Sequence, residues 1–259
     1  MCDRLVSIDL DGTALIYDDP EGRLSPDIIS LLNQLPDLKA NWCINSGRSL
    51  EDQEIVVKKA NRDGLVMPPC ALLVRESFIY QYEGSYRGLE PWNSHALEKV
   101  LYLHKRIRAL ASNVLQELIE RHGPIRHHIS TTTTSVRLRN EEGADRFHAA
   151  LKEQLACIPE ASVTRNNLWV IVLHRELGKG AVLGAFMDKQ GYQQDKVLAI
   201  GDNDNDLQIL TGSICSHVGC PANSSTNMKN AVKRAGGTVS NEVAPQGTVE
   251  IITRFLNAT

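Results

Sequence analysis

The chain reads as blocks in which short apolar runs stop abruptly at polar loops. Leu5-Val6-Ser7-Ile8 ends at Asp9-Leu10-Asp11-Gly12-Thr13, the pattern of a buried strand running into a turn. Ser25-Pro26-Asp27 then opens a helical spacing of Ile28, Ile29, Leu31, Leu32 and Leu35, with Ser25 at the N-cap and Pro26 at the first helical position. A second strand over residues 41–44 stops at Asn45-Ser46-Gly47-Arg48, and residues 50–60 carry a helical pattern. Towards the end, Lys196-Val197-Leu198-Ala199-Ile200 runs into Gly201-Asp202-Asn203-Asp204-Asn205-Asp206. Strands alternating with helices predict an α/β fold with a mainly parallel, Rossmann-like sheet, whose three polar loops share the carboxyl edge where ligands bind.

Between these blocks the grammar changes. Residues 82–175 hold a long helical pattern (Leu97, Leu101, Ile107, Leu110, Val114, Leu118) and then a strand-like stretch over residues 130–138, within which Thr131 to Thr134 is β-prone. This stretch carries 13 Lys and Arg against 10 Asp and Glu (+3), which leaves −6 for the rest of the chain, and seven of the eight histidines fall in it. The expected organisation is a core of residues 1–81 and 176–259, interrupted by an inserted α+β domain at 82–175.

Composition narrows the partner. With 259 residues, 42% hydrophobic and 23% charged, the chain has the make-up of an ordinary globular protein, and its net charge of −3 offers no basic field for nucleic acid or an anionic membrane. No stretch has the length of a membrane span, and residues 1–10 lack the apolar run of a secretory leader. The six cysteines contain no C-x-x-C pair, and Cys43, Cys70 and Cys157 sit among apolar neighbours. The expectation is reduced core thiols, a cytoplasmic location and a small-molecule partner.

The polar loops hold the candidate chemistry. Asp9 and Asp11, two positions apart after a buried strand, suit a hard cation, or an attacking carboxylate beside a proton shuttle; an Asp-Gly surface turn is the plain alternative. The loop with Asp202, Asp204 and Asp206 repels itself unless it meets a cation. An EF-hand is excluded, because its positions 6 and 12 would be Leu207 and Ser213. Ser46-Gly47-Arg48 at a strand-to-helix junction can hold a phosphate, or Ser46 can simply cap the helix. A serine nucleophile elbow would need Gly at Ile44 and Arg48, and a cysteine-phosphatase loop would need Arg at Ser49. Lys179, between Gly178 and Gly180, is free to project and does not fit a P-loop. The clustered histidines show no zinc-ligand spacing.

In order and spacing, Asp9-Leu10-Asp11-Gly12-Thr13, Ser46-Gly47-Arg48, Lys179 and Gly201-Asp202-Asn203-Asp204-Asn205-Asp206 resemble the four motifs of the haloacid dehalogenase superfamily. An insertion between the second and third motifs is similar to the type II cap of the Cof-like and sucrose-phosphate-phosphatase-like branch, and Gly247-Thr248-Val249 resembles that branch's closing segment. Where relatives often carry Asn-Gly, this chain reads Val74-Arg75-Glu76-Ser77.

The resemblance implies an Mg²⁺-dependent phosphomonoester hydrolase acting on a small metabolite such as a sugar phosphate. Asp9 would be the nucleophile and Asp11 the acid and base. Asp9, the backbone carbonyl of Asp11, and Asp202 would hold Mg²⁺, with Asp206 and Asn205 behind them. Thr13, Ser46, Gly47, Arg48, Lys179 and Asn205 would line the phosphate site, and Asp204 would be a solvent-exposed charge near the metal. A phosphosugar mutase of the same fold and a non-catalytic phosphate or metal binder are the alternatives.

Overall fold

Parallel strands buried on both faces need near-continuous apolar runs, and this requirement builds the centre of the protein. The computed structural model describes residues 3–17 and 21–258. Chain order is β1 (Arg4–Ile8), α1 (Pro26–Gln34), β2 (Ala40–Ser46), α2 (Leu50–Arg62), β3 (Ala71–Val74), β4 (Phe78–Tyr82), β5 (Tyr86–Gly88), α3 (Trp92–His122), β6 (Arg126–Ile129) and β7 (Thr134–Arg137). There follow α4 (Glu141–Gln154), β8 (Ala161–Asn166), β9 (Trp169–His174), α5 (Lys179–Gln190), β10 (Val197–Ile200), α6 (Leu207–Leu210), β11 (His217–Cys220), α7 (Thr226–Arg234), β12 (Thr238–Val239) and α8 (Gln246–Asn257).

Eight strands form one sheet in the order β12-β11-β10-β1-β2-β3-β4-β5, parallel from β12 to β3 and antiparallel across β4 and β5. Alternate residues face opposite layers. Val6 and Ile8 pack with α1, α2 and α8, whereas Leu5, Val197 and Ala199 pack with α5 and α7. The carboxyl ends of the adjacent strands β10, β1 and β2 therefore lie side by side. The Ser25 hydroxyl accepts from Ile28 N at 3.3 Å, so α1 starts where Ser-Pro predicts.

The chain divides into two compact units, one of Met1–Trp92, Lys179–Asp202 and Asp206–Thr259, the other of Asn93–Gly178 with Asn203–Asn205. Residues 82–88, expected in the insert, instead complete β4 and form β5 of the large sheet. The second unit has its own antiparallel sheet, β6-β7-β9-β8, and its own core from Leu103, Ile107, Leu115, Val136, Phe147, Leu151 and Val170.

Three local expectations need correction. Leu97, Leu101 and Leu110 of α3 are exposed, and the buried stripe runs through Ala96, Val100, Leu103, Ile107, Ala111, Leu115 and Leu118. The stretch over residues 130–138 is not one strand. Ser130 N donates to Thr133 O at 2.8 Å, closing a hairpin between β6 and β7, because exposed hydroxyl residues there have no core to face. Cys157 is exposed and Cys70 half-buried, whereas Cys43, Cys215 and Cys220 are buried, and Cys2 lies outside the described residues.

Candidate active site

The loop after β1 is drawn tight. Gly12 N donates to Leu15 O at 2.8 Å and Leu15 N to Leu10 O at 2.7 Å, and Gly12 holds φ +77°. A Cβ at Gly12 would lie 2.2 Å from the Tyr17 ring and 2.5 Å from Asp202 Oδ2, so only glycine fits. Asn223 ties this loop to the far end of the chain, donating to Gly12 O at 2.8 Å and accepting from Ala244 N at 2.7 Å. The Thr248 hydroxyl donates to Thr13 O at 2.7 Å.

The loop after β2 is fixed from beneath. Gln53 of α2, wholly buried, donates to the carbonyls of Ser46 (3.4 Å), Arg48 (3.2 Å) and Leu73 (3.1 Å). Ser49, not Ser46, caps α2 by accepting from Asp52 N at 3.2 Å. Ser46 Oγ accepts from Arg48 N at 3.3 Å.

Lys179 is the first residue of α5 and is fully buried, contrary to a freely projecting loop lysine. Its carbonyl accepts from Asn45 Nδ2 at 3.1 Å, and Nζ donates to Asp206 Oδ1 at 2.6 Å and pairs with Asp9 Oδ1 at 2.8 Å. After β10, Gly201 leaves room for Asp206, whose Cγ would lie 2.3 Å from a Cβ there. Asp206 Oδ2 accepts from Asp202 N at 3.1 Å. Asn205 is buried, and Asp204 is half-buried where full exposure was expected.

Three segments, the loops after β1 and β10 and the start of α5, therefore bring Asp9, Asp202, Asp206 and Lys179 together in a buried cluster, the three carboxylates each offering an oxygen within 4.8 Å of the others. Three negative charges face one positive charge. Burial, with repulsion from Asp206 and Asp202, pushes the Asp9 carboxyl well above the usual range while Lys179 pulls it down. Burial, together with Asp206, raises Asp202 to about 7. Burial works to lower Lys179, but Asp206 and Asp9 hold it above its ordinary value. Asp9 Oδ2 is buried with no hydrogen-bond partner among the described residues. A buried carboxylate oxygen without a donor, beside excess negative charge, fits a cation.

The other expected residues are placed differently from one another. Thr13 is fully buried and gives its hydroxyl to Asp202 Oδ1 at 3.1 Å. Asp11 is half-buried and pairs with Arg48. Sequence reasoning missed Tyr17, whose hydroxyl donates to Asp202 Oδ2 at 2.5 Å, and it missed Gln53 and Asn223. Gln53 did leave a signal: with Val56, Val57 and Ala60 it occupies the buried face of α2.

A family model of haloacid dehalogenase-like hydrolases matches residues 108–243. The chain belongs to this family. The matched stretch contains Lys179 and the loop from Asp202 to Asp206, and the fold sets the Asp9 loop of this haloacid dehalogenase-like hydrolase against them. Solved structures extend the likeness in fold over nearly the whole chain. The sucrose-phosphatase of Synechocystis, solved with sucrose and phosphate, is 17% identical with a TM-score of 0.68 and 98% of each chain covered. A haloacid dehalogenase-like hydrolase from Bacteroides thetaiotaomicron is 17% identical, with 97% of this chain and 98% of that one covered at a TM-score of 0.61. A Thermotoga maritima protein is 15% identical, with 99% of this chain and 97% of that one covered at a TM-score of 0.63. A search of curated proteins finds no match. No helix among the described residues is long and apolar enough to cross a membrane.

Proposed function

We propose that this hydrolase is an Mg²⁺-dependent phosphatase that cleaves phosphomonoesters through an aspartyl-phosphate on Asp9. The unpartnered, buried Oδ2 of Asp9 carries the reading, since the other oxygen is held by Lys179 and this one is left to react or to meet a cation. Asp9, Asp202 and the backbone carbonyl of Asp11 would hold Mg²⁺, with Asp206 orienting the set through Lys179 and the Asp202 amide. Bound there, Mg²⁺ would offset negative charge on the phosphoryl group and the carboxylates.

Attack by Asp9 on phosphorus forms the aspartyl-phosphate and expels the alkoxide, which takes a proton from Asp11; Asp11 then takes a proton from the water that cleaves the acyl phosphate. Lys179, fixed by Asp206, keeps positive charge beside the reacting carboxylate, and Ser46 with the Gly47 amide faces the phosphoryl oxygens. Tyr17 and Thr13 hold the two oxygens of Asp202 from the side of the β1 loop. For substrate class, the fold likeness to a sucrose-phosphatase supports a small sugar phosphate.

The test is a phosphate-release screen across phosphomonoesters with and without Mg²⁺. Metal-dependent release, strongest with a sugar phosphate, is expected. Movement of a phosphoryl group between sugar positions without release would identify a mutase, and inertness toward every ester, with metal binding retained, a non-catalytic binder.

A further inference from the structure

Arg48 sits in the loop that faces the proposed phosphate, yet its side chain is engaged elsewhere. Nε donates to Asp11 Oδ2 at 2.8 Å and Nη2 to Asp11 Oδ1 at 2.5 Å, a two-pronged pair that takes both oxygens of the carboxylate. The pairing keeps the guanidinium charged.

The backbone under this fork is anchored on every side. Arg48 N donates to Ser46 Oγ at 3.3 Å, and Arg48 O accepts from Gln53 Nε2 at 3.2 Å and from Arg75 N at 3.1 Å. Ser49, the next residue, caps α2. Arg75 and Glu76 hold φ +50° and +56°, a left-handed backbone that side-chain-bearing residues seldom adopt, and the strained turn is the one that reaches Arg48 O. Opposite, Asp11 is bridged to Leu15 in the tight loop after β1. A planar fork on a fixed backbone sets the rotamer of the carboxylate it grips.

We propose that Arg48 is a positioning residue, which fixes the Asp11 carboxylate for the step in which it takes a proton from the attacking water, and acts on the reaction through Asp11 and not as a ligand of the phosphoryl group. The inference rests on the phosphatase reading of the site. For Arg48 to grip the phosphoryl group it would have to give up both bonds and leave Asp11, 27% exposed, without its counter-ion. In the phosphatase reading Ser46 and the Gly47 amide would supply that grip without disturbing Asp11.

The experiment is a double-mutant cycle on p-nitrophenyl phosphate with Arg48→Gln, Asp11→Asn and the double variant, alongside inhibition by inorganic phosphate. Arg48→Gln is expected to lower kcat by about ten- to a hundredfold, the cost of a misplaced catalytic group. KM and the phosphate inhibition constant should stay within about twofold, as for a group that does not bind the ground state. In the Asp11→Asn background, Arg48→Gln should cost nothing further. Arg48→Lys, with the charge but without the fork, should recover only part of the loss. A rise in KM and in the phosphate inhibition constant, with the two single losses multiplying in the double variant, would overturn the proposal in favour of a phosphate ligand. Crystal structures of wild type and Arg48→Gln give a second arm that needs no activity. The Asp11 carboxylate should leave its wild-type rotamer in the variant, and an unmoved carboxylate overturns the proposal. A wild-type protein that released phosphate from no ester would end the phosphatase reading alone, and the rotamer comparison would still decide what Arg48 does to Asp11.

Discussion

At the residue scale, the charge balance of the cluster governs what a substitution does. Asp9→Asn removes the attacking oxygen and should cut turnover by at least about a hundredfold, as loss of a nucleophile does, while circular dichroism stays unchanged. Lys179→Met has a different signature. It leaves Asp9 and Asp206 buried without the ammonium that pairs with both, so the metal-free protein should lose about 3–5 kcal/mol in urea unfolding, the usual cost of breaking a buried ion pair. An unchanged midpoint in the metal-free protein would show that the carboxylates are not relying on Lys179. The acids at the ends of β1 and β10 were legible in the sequence because abrupt polar loops after buried strands stand out. The Thr13 hydroxyl was not legible as a partner of Asp202, for nothing near Thr13 reveals a residue 189 positions away.

At the element scale, one helix braces two strands. Gln53 of α2 satisfies the carbonyls of Ser46, Arg48 and Leu73, so Gln53→Leu would keep the volume and strand polar groups at the ends of β2 and β3. The expected outcome is a loss of about 1–3 kcal/mol for each carbonyl that water cannot reach, read by chemical denaturation, together with faster amide exchange in the segment from Gly47 to Ser49. The strand–helix alternation of the core was legible from buried apolar runs. The face of α3 was not. Its apolar residues occupy more than one side, and the packed stripe uses small Ala96 and Ala111 while larger Leu97 and Leu110 face solvent. Hydrophobic spacing gives a helix, and only a partner surface selects the face.

At the scale of the whole molecule, two compact units that each bury their own apolar side chains imply two cooperative units. Calorimetry of the intact chain should resolve more than one transition, and a single transition with matching calorimetric and van't Hoff enthalpies would contradict it. Acid should act on the unit with its own antiparallel sheet. There His104 is buried beside Thr134, with 3.3 Å between Nδ1 and Oγ1, and burial together with Arg108 lowers it from 6.5 to about 4. The unfolded chain therefore binds a proton below about pH 6.5 that the folded unit refuses until about pH 4. Stability from this group is complete above the first value and declines across that window, by at most about 1.4 kcal/mol per pH unit. His104→Gln should flatten the pH dependence of that unit's transition.

The sequence by itself determined the α/β class, the three polar loops after buried strands and the acids in two of them, because these follow from local periodicity and from where buried strands must stop. It could not determine which side chain each acid meets. Lys179 on Asp9 and Asp206, Tyr17 on Asp202 and Arg48 on Asp11 are set by the placing of β10, β1 and β2 side by side in parallel and by the register of each pair. Register and strand order are long-range properties, fixed only when all the strands bury their faces at once. That is why a polar turn, a lysine between glycines and a Ser-Gly-Arg segment, each unremarkable alone, converge into one charged cluster only in the folded chain.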